Sequence, residues 1–203
     1  MSTPTELEIR WSTRDVDGVV RRLRDLGFAV DRAGRIAFRG ATIAIVEGTG
    51  RDDRLAVRDG PGAHHDGAGH PNGIRVILAV GWATVDTGRV IGALAGETIE
   101  PSPADPHLGA AAIRVGPSGP YRLILEPSTE GRLAATLARL GEGPVAVYLS
   151  AGERGLGTFV ADARTDGAMV SAILPGPFGP SVILPGGPAW GPHLLVVEPR
   201  PGT

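Results

Sequence analysis

The sequence predicts an α+β protein built from three repeated βαβββ cassettes that form curved mixed or antiparallel sheets. A strand-like run ending in glutamate occurs three times, as ATIAIVEG, YRLILEPS and HLLVVEPR, with the carboxylates at Glu47, Glu126 and Glu198. Each run closes a segment that opens with another strand and a helix, and repetition of this kind defines the architecture. Two or three strands follow each helix at hairpin distance, which favours antiparallel pairing over a parallel α/β sheet.

The first cassette covers residues 5–50. It opens with an alternating strand at 7–11. Apolar residues at helical spacing then predict a helix between Asp15, which is a suitable N-cap, and Gly27, which is a suitable C-terminal stop. Strands are predicted at RIAFRG and ATIAIVE.

Residues 51–73 are predicted to be a flexible connection. The segment is polar and rich in glycine and histidine, which favours turns and a mobile chain. Part of it, Arg54 to Val57, has the pattern of an edge strand.

The second cassette covers residues 74–142. A strand at 75–85 is followed by a short helix, TGRVIGALAG, and by the proline-rich connection PSPADPH. Strands are then predicted at GAAAIRVG and YRLILE.

A helix within STEGRLAATLARLG links the second cassette to the third. Leu133 and Leu137 lie on one face of this helix. Ser128 or Thr129 is the predicted cap, and Gly141 is the predicted stop.

The third cassette covers residues 143–200. It opens with a strand at 144–150, and a weaker helix is predicted at GTFVADA. Strands follow at AMVSAILPG, PSVILPG and HLLVVE.

Composition excludes several classes of function. The chain has 203 residues, a net charge of −2 and no cysteine, so it has no disulfide, zinc–thiolate site or cysteine nucleophile. All 20 basic residues are arginine, which removes Schiff-base chemistry and a P-loop lysine. The charge favours neither a nucleic-acid nor a membrane partner. No apolar run is long enough for a membrane span and MSTPTELEIR lacks a signal sequence, so we expect a cytoplasmic protein.

Residues 123–149, LILEPSTEGRLAATLARLGEGPVAVYL, resemble the middle of vicinal-oxygen-chelate proteins. This superfamily includes glyoxalase I, methylmalonyl-CoA epimerase, extradiol dioxygenases and bleomycin-resistance proteins. In its epimerase-like members a strand ends in Leu-Glu-Pro, and a short helix leads to a Gly-Glu-Gly turn that opens the next module. The segments 125–127 and 141–143 match this order. The resemblance implies a glyoxalase-like fold in which two paired modules form a curved cup.

The resemblance also implies a divalent metal, held by side chains from the first and last strands of each paired module. The last-strand acids correspond to Glu126 and Glu198. The first-strand positions, usually histidine, fall on Ala79 and Ala146, which have no ligating atom. We therefore expect a degenerate metal site and no cofactor. Two carboxylates without imidazole would suit Mg²⁺ or Ca²⁺ better than zinc or iron.

Pairing of the first and second cassettes is the alternative arrangement. The corresponding positions in the first cassette are Glu8 and Glu47, so this pairing would gather Glu8, Glu47 and Glu126 around a hard cation. The competing interpretation leaves these acids exposed at strand ends. Either pairing leaves one cassette over, which packs sideways or pairs across a homodimer.

Trp82, Trp190 and His193 are candidate ligand-binding residues. The two tryptophans could line an apolar pocket and stack on a flat ligand, and the competing interpretation is core packing. His193 opens the last strand and is a candidate acid or base in a cavity, the alternative being a structural or surface role.

The remaining histidines have weaker patterns. His64, His65 and His70 could bind a transition metal together with Asp66, but a glycine-rich loop has no fixed geometry, so we expect a solvated loop. His107, in the proline-rich segment, is expected at the surface.

Three functions follow from these observations. The first is a binding protein that holds a small apolar or aromatic molecule in the sheet-lined cup. The second is a lyase, isomerase or dioxygenase of the same fold, with Glu126 as base or metal ligand. The third is a structural or interaction module without a ligand.

Overall fold

The computed structural model of the protein describes residues 5–50, 52–61, 69–128, 130–184 and 191–200. The first cassette contains four elements, which are β1 (Thr5–Thr13), α1 (Val16–Asp25), β2 (Arg35–Phe38) and β3 (Ala41–Glu47). A further strand, β4 (Arg54–Pro61), lies in the predicted connection and joins the sheet of the first cassette.

The second and third cassettes supply eight strands and three helices. The second contains β5 (Ile77–Ala83), α2 (Thr87–Ala93), β6 (Ile99–Asp105), β7 (Ala110–Val115) and β8 (Tyr121–Pro127), and α3 (Arg132–Leu140) follows it. The third contains β9 (Gly143–Ser150), a short 3-10 turn (Gly152–Arg154), α4 (Gly155–Thr165), β10 (Leu174–Gly176), β11 (Gly179–Ile183) and β12 (His193–Val197).

The second and third cassettes pair with each other. Their first strands, β5 and β9, are antiparallel neighbours at the centre of an eight-stranded sheet with the order β10-β11-β12-β9-β5-β8-β7-β6. In both cassettes the last strand lies parallel to the first, as β8 to β5 and β12 to β9. The predicted α+β class with repeated modules and mixed sheets is confirmed.

The first cassette forms its own four-stranded sheet, with the order β2-β3-β1-β4. Strand β3 is parallel to β1, as in the other cassettes. Strand β4 pairs antiparallel with the opposite edge of β1, from Thr5↔Pro61 to Ser12↔Arg54. In the paired cassettes the edges of β5 and β9 join each other, whereas the corresponding edge of β1 is covered by β4. Strand β4 includes the edge strand predicted at Arg54 to Val57.

Two other segments differ from the sequence predictions. The proline-rich stretch predicted as a connection contains β6, at the end of the eight-stranded sheet's strand order. Proline is tolerated on an edge strand because its missing N–H is not needed there. The predicted strand at 168–176 is reduced to β10.

Helices α1 and α2 begin at aspartate caps, whereas α3 begins without a side-chain cap. Asp15 caps α1 by accepting from the backbone N–H of Gly18 at 2.9 Å, and Asp86 caps α2 by accepting from Arg89 N–H at 2.9 Å. Helix α3 begins after Gly131, without the side-chain cap predicted at Ser128 or Thr129, and Thr129 lies outside the described residues.

The eight-stranded sheet has an apolar layer on each face. Alternate residues of β9 separate these layers, because Val147 and Leu149 belong to one cluster and Ala146 and Tyr148 to the other. The first cluster, on the outer face, includes α4 and most of the first cassette. The first cassette therefore packs sideways on the paired cassettes, one of the two arrangements expected for it. Within the described part of the chain, no helix is long and apolar enough to cross a bilayer.

His70 is buried rather than solvated. Its ring packs at 5.0 Å from the Phe38 ring and 5.6 Å from the Phe28 ring, and its Nδ1 accepts from the backbone N–H of Ala29 at 3.2 Å. Burial lowers the pKa of His70. The expectation of a solvated histidine loop is thus wrong at this position, because His70 fills a gap between two phenylalanines. His64, His65 and Asp66 lie outside the described residues.

Candidate functional site

The inner face of the eight-stranded sheet is filled by side chains. Helix α3 and the segment after β6 supply Leu133 and Leu108, which belong to the same buried cluster as the inward residues of the strands. The inward residues of the four central strands in this cluster are Ala79, Ala83, Leu123, Leu125, Val145, Ala146, Tyr148, Leu195 and Val197.

Gly81 shows how closely this face is packed. A Cβ atom at this position would lie 2.8 Å from Leu125 Cδ1, 3.0 Å from Ala146 Cβ and 3.2 Å from Tyr148 Cε2. There is therefore no room for a larger side chain at the centre of the inner face. The cup that the sequence predicted as a ligand site is occupied here by the core.

A buried carboxyl–phenol pair lies within this layer. Tyr148 donates its hydroxyl hydrogen to Asp105 Oδ2 at 2.6 Å, and Asp105 Oδ1 accepts from the backbone N–H of Leu108 at 3.1 Å. Both side chains are fully buried. Burial raises the pKa of Asp105 despite these two hydrogen bonds, and burial together with the Asp105 carboxyl raises the pKa of Tyr148.

Two histidines are also buried near this layer. His193 lies 3.1 Å from Thr136 Oγ1 of α3, and Thr136 donates to the Arg132 carbonyl, so His193 Nε2 is the donor to Thr136. Burial, followed by the positive charge of Arg132, lowers the pKa of His193 to about 4. His107 Nε2 lies 2.9 Å from the Ser181 carbonyl. The expected surface position of His107 is wrong, because the segment that directly follows β6 is buried and places its ring against the Ser181 carbonyl.

The inner face does not fit a metal centre of the kind that the resemblance implies. Ala79 and Ala146 are both fully buried on this face, where imidazole donors would be needed. Across the described residues, no three acidic or histidine side chains group as metal ligands do. No chemical step through a metal is therefore derived below.

The predicted acids lie on two different sheets. Glu126 lies near the end of β8 and Glu198 directly follows β12, whereas Glu8 and Glu47 are on β1 and β3 of the first cassette. Glu47 and Glu198 are exposed, and Glu8 is half-buried, 3.9 Å from Arg10. The structure does not gather these acids at one site. Their assignment as metal ligands stays a prediction.

The two glutamates of the Leu-Glu-Pro and Gly-Glu-Gly segments meet at one turn. Glu126 Oε2 accepts from the backbone N–H of Thr87 at 3.2 Å. Glu142 Oε1 accepts from the Thr84 hydroxyl at 2.7 Å and from Val85 N–H at 2.9 Å, and both Glu142 oxygens bind Arg89. Glu126 and Glu142 therefore hold the turn between β5 and α2.

Substituting Glu142 by glutamine is expected to lower the melting temperature at pH 7. Its hydrogen bonds to Val85, Arg89 and Thr84 lower the pKa of Glu142 to about 2. The stabilisation is complete above the ordinary glutamate pKa and is lost as the pH falls toward 2. Thermal unfolding of Glu142→Gln, with Glu97→Gln as the exposed control, measures this effect. Equal melting temperatures for both variants at pH 7 would contradict it.

The outer face carries an open cleft of about 330 Å³ beside this turn. It is lined by Trp82, Ala83, Thr84, Val90, Arg122, Ile124, Glu142 and Gly143. Trp82 is half-buried, and the guanidinium carbon of Arg122 lies 5.4 Å from the centre of its ring. Ile124 pairs with Trp82 across β5 and β8 and forms an apolar neighbour. Of the two predicted ligand-binding residues that the structure describes, Trp82 lines this cleft and His193 does not.

The structure describes only one of the other two predicted ligand-binding residues. His193 is on the inner face, bonded to Thr136. Trp190 lies outside the described residues.

Sequence reasoning missed Asp105, Tyr148 and Arg122. Asp105 was missed because the prolines on either side of it predict a connection rather than a strand. Strand alternation could have indicated Arg122, because it shares the outer face of β8 with Ile124 while Leu123 and Leu125 face inward. Nothing in the sequence indicates that Arg122 lies over Trp82, because this contact joins β8 to β5 and the two strands are far apart in the sequence.

Comparisons with known proteins agree with this architecture. Methylmalonyl-CoA epimerase from Mycobacterium tuberculosis, a vicinal-oxygen-chelate protein, is similar over 63% of this chain and 90% of its own, with 18% identity and a TM-score of 0.54. A hypothetical protein from Bacillus halodurans C-125 is similar over 63% of this chain and 96% of its own, with 16% identity and a TM-score of 0.53. The chain has the vicinal-oxygen-chelate fold. No protein-family model and no curated protein matches the sequence.

Proposed function

We propose that this protein binds a small apolar or aromatic molecule against Trp82, in the cleft on the outer face of the sheet. The observation that carries the proposal is a half-buried indole beside an apolar wall at an open cleft. The proposal moves the predicted ligand from the inner cup to this cleft, because the inner face is filled by core side chains.

The size and lining of the cleft support a small ligand. Its volume of about 330 Å³ falls at the lower end of the range typical of small-molecule sites. The indole of Trp82 offers a flat surface for offset stacking, and the half-buried Val90 provides an aliphatic contact. A single aromatic ring with a short substituent fits these dimensions.

The electrostatics of the cleft favour binding over acid–base catalysis. Glu142 is the carboxylate among the described lining residues, and its pKa of about 2 makes it a weak base at neutral pH. Its oxygens are already engaged by the turn and by Arg89. Catalysis by Glu126 remains a separate hypothesis, in which Glu126→Gln would abolish turnover while leaving ligand binding nearly intact.

Replacement of Trp82 by leucine is expected to weaken ligand binding by about tenfold, because the stacking surface is lost. The measurement is an NMR titration of ¹⁵N-labelled protein with small aromatic compounds, neutral and charged. Ligands should move the Trp82 indole signal and the Val90 and Gly143 amide signals, and leave the Trp11 indole signal in place.

Val85→Ala is the matched control for this titration. Val85 is 65% exposed and does not line the cleft, so its substitution should leave the affinity unchanged. Signal changes away from the cleft, or equal affinity in Trp82→Leu, would contradict the proposal.

A structural or interaction module without a ligand is the second candidate. The filled inner face favours it, because the interior offers the ligand no space. Absence of any saturable signal change in the titration would support this candidate over the first.

A further inference from the structure

We propose that the ligand of the Trp82 cleft carries an anionic group, with a carboxylate as the smallest case, and that Arg122 binds it. The inference rests on the proposed function and adds the chemical class of the ligand. It follows from the position of Arg122, from its charge balance and from the state of the other charges at the cleft.

Arg122 projects at the cleft from the outer face of β8. It is exposed, lines the cleft and lies with its guanidinium carbon 5.4 Å from the Trp82 ring centre. A guanidinium next to an aromatic ring gains a cation–π attraction while retaining several N–H donors. The apolar body of a ligand on Trp82 would therefore place its substituent within reach of these donors.

The charge of Arg122 is not balanced by a carboxylate within the part of the chain that the structure describes. Several other arginines have such a partner: Arg89 with Glu142, Arg114 with Glu100, Arg139 with Asp52 and Arg154 with Asp162. The comparison with Arg114 is the closest. Arg114 also lies over an aromatic ring, Tyr121, at 4.8 Å, but Glu100 neutralises it.

The negative charge at the cleft is already neutralised. Glu142 binds Arg89 with 2.6 Å and 2.7 Å contacts and also accepts from Thr84 and Val85. A cationic ligand would have to compete with these bonds. Of the two charged residues that line the cleft, Glu142 is thus paired with Arg89, whereas Arg122 has no carboxylate partner among the described residues. This favours an anion over a neutral or cationic substituent.

The geometry of a guanidinium selects planar oxyanions. Its N–H groups can bind both oxygens of a carboxylate at once, which a lysine ammonium does less specifically. Small aromatic carboxylates therefore combine both features of the cleft.

Matched pairs of acid and amide test the inference. Phenylacetate and phenylacetamide have similar shape and differ in charge, as do indole-3-acetate and indole-3-acetamide. In the wild-type protein we expect each acid to bind about tenfold more tightly than its amide, and its affinity to fall as salt is raised. In Arg122→Gln the acid should lose this advantage while the amide binds as before.

Arg114→Gln is the matched control, since Arg114 also lies over a ring but is paired with Glu100. Both variants replace exposed or half-buried side chains, and circular dichroism verifies their folding. Equal binding of acid and amide at Trp82 in the wild type would overturn the anion inference and leave the proposed function standing. Failure of all four compounds to bind would overturn both.

Discussion

Tyr148→Phe is expected to lower the free energy of unfolding by roughly 2–3 kcal/mol, because it leaves a fully buried carboxyl without its strongest donor. The hydroxyl of Tyr148 lies 2.6 Å from Asp105 Oδ2. Both side chains are fully buried, so a water molecule from the solvent cannot replace the lost hydrogen bond. Denaturant unfolding measures the loss. The pKa of Asp105 should also rise further, because the hydrogen bond from Tyr148 opposes the effect of burial.

Tyr121→Phe is the matched control for this experiment. Tyr121 is half-buried and stacks on Phe178 with ring centres 5.9 Å apart. Loss of its hydroxyl should change stability by less than about 0.5 kcal/mol. A double-mutant cycle with Asp105→Asn then isolates the pair. Equal losses for the two tyrosine variants would show that Asp105 does not depend on the Tyr148 hydroxyl.

Acidification is expected to destabilise the protein through His193. The pKa of His193 is about 4 in the folded chain, against an ordinary histidine value of about 6.5, so the unfolded chain binds more protons between these limits. The stability that the neutral ring contributes is complete above pH 6.5 and is lost as the pH falls toward 4. A shift of this size corresponds to about 3 kcal/mol. Denaturant unfolding from pH 7 to 4 measures the decline.

His193→Gln isolates this contribution from those of other groups. Glutamine does not titrate and can still donate to Thr136, so the variant should lose the part of the pH dependence that belongs to His193. The comparison of the variant with the wild type is needed because other buried groups also titrate. The lowered pKa of His70 makes the protein less stable in acid, and the raised pKa of Asp105 makes it more stable there. Titration of the His193 ring signals by NMR gives its pKa directly. A midpoint near 6.5 would contradict the prediction.

Repetition and local pattern made the fold predictable. Each of the three glutamate-ending runs contains a strand that lies parallel to the first strand of its own cassette. Asp15 lies at the start of α1 and Gly141 at the end of α3, as their residue types suggest. Asp15 accepts a backbone hydrogen bond, and Gly141 has a positive φ of 77°. Such preferences act within a few residues, and therefore a single sequence contains them.

The candidate cleft was only partly predictable. Trp82 was selected because of its residue type, but its partner Arg122 depends on the pairing of β5 with β8. The sequence also did not indicate that Glu126 and Glu142 stabilise the turn between β5 and α2. The resemblance suggested chemistry for Glu126, whereas both carboxylates accept hydrogen bonds from backbone donors of a turn that lies far away in the sequence.

The sequence by itself determined the number of cassettes, their element types and the alanines at the two positions where histidine ligands were expected. Only the tertiary structure decided which cassettes pair, because β5, β9 and β1 all have apolar faces and any two could join as far as pattern is concerned. Pairing of β5 with β9, and of β1 with β4, then separated the acids onto two sheets. Long-range strand pairing places residues of distant segments side by side, and local sequence preferences carry no information about that choice.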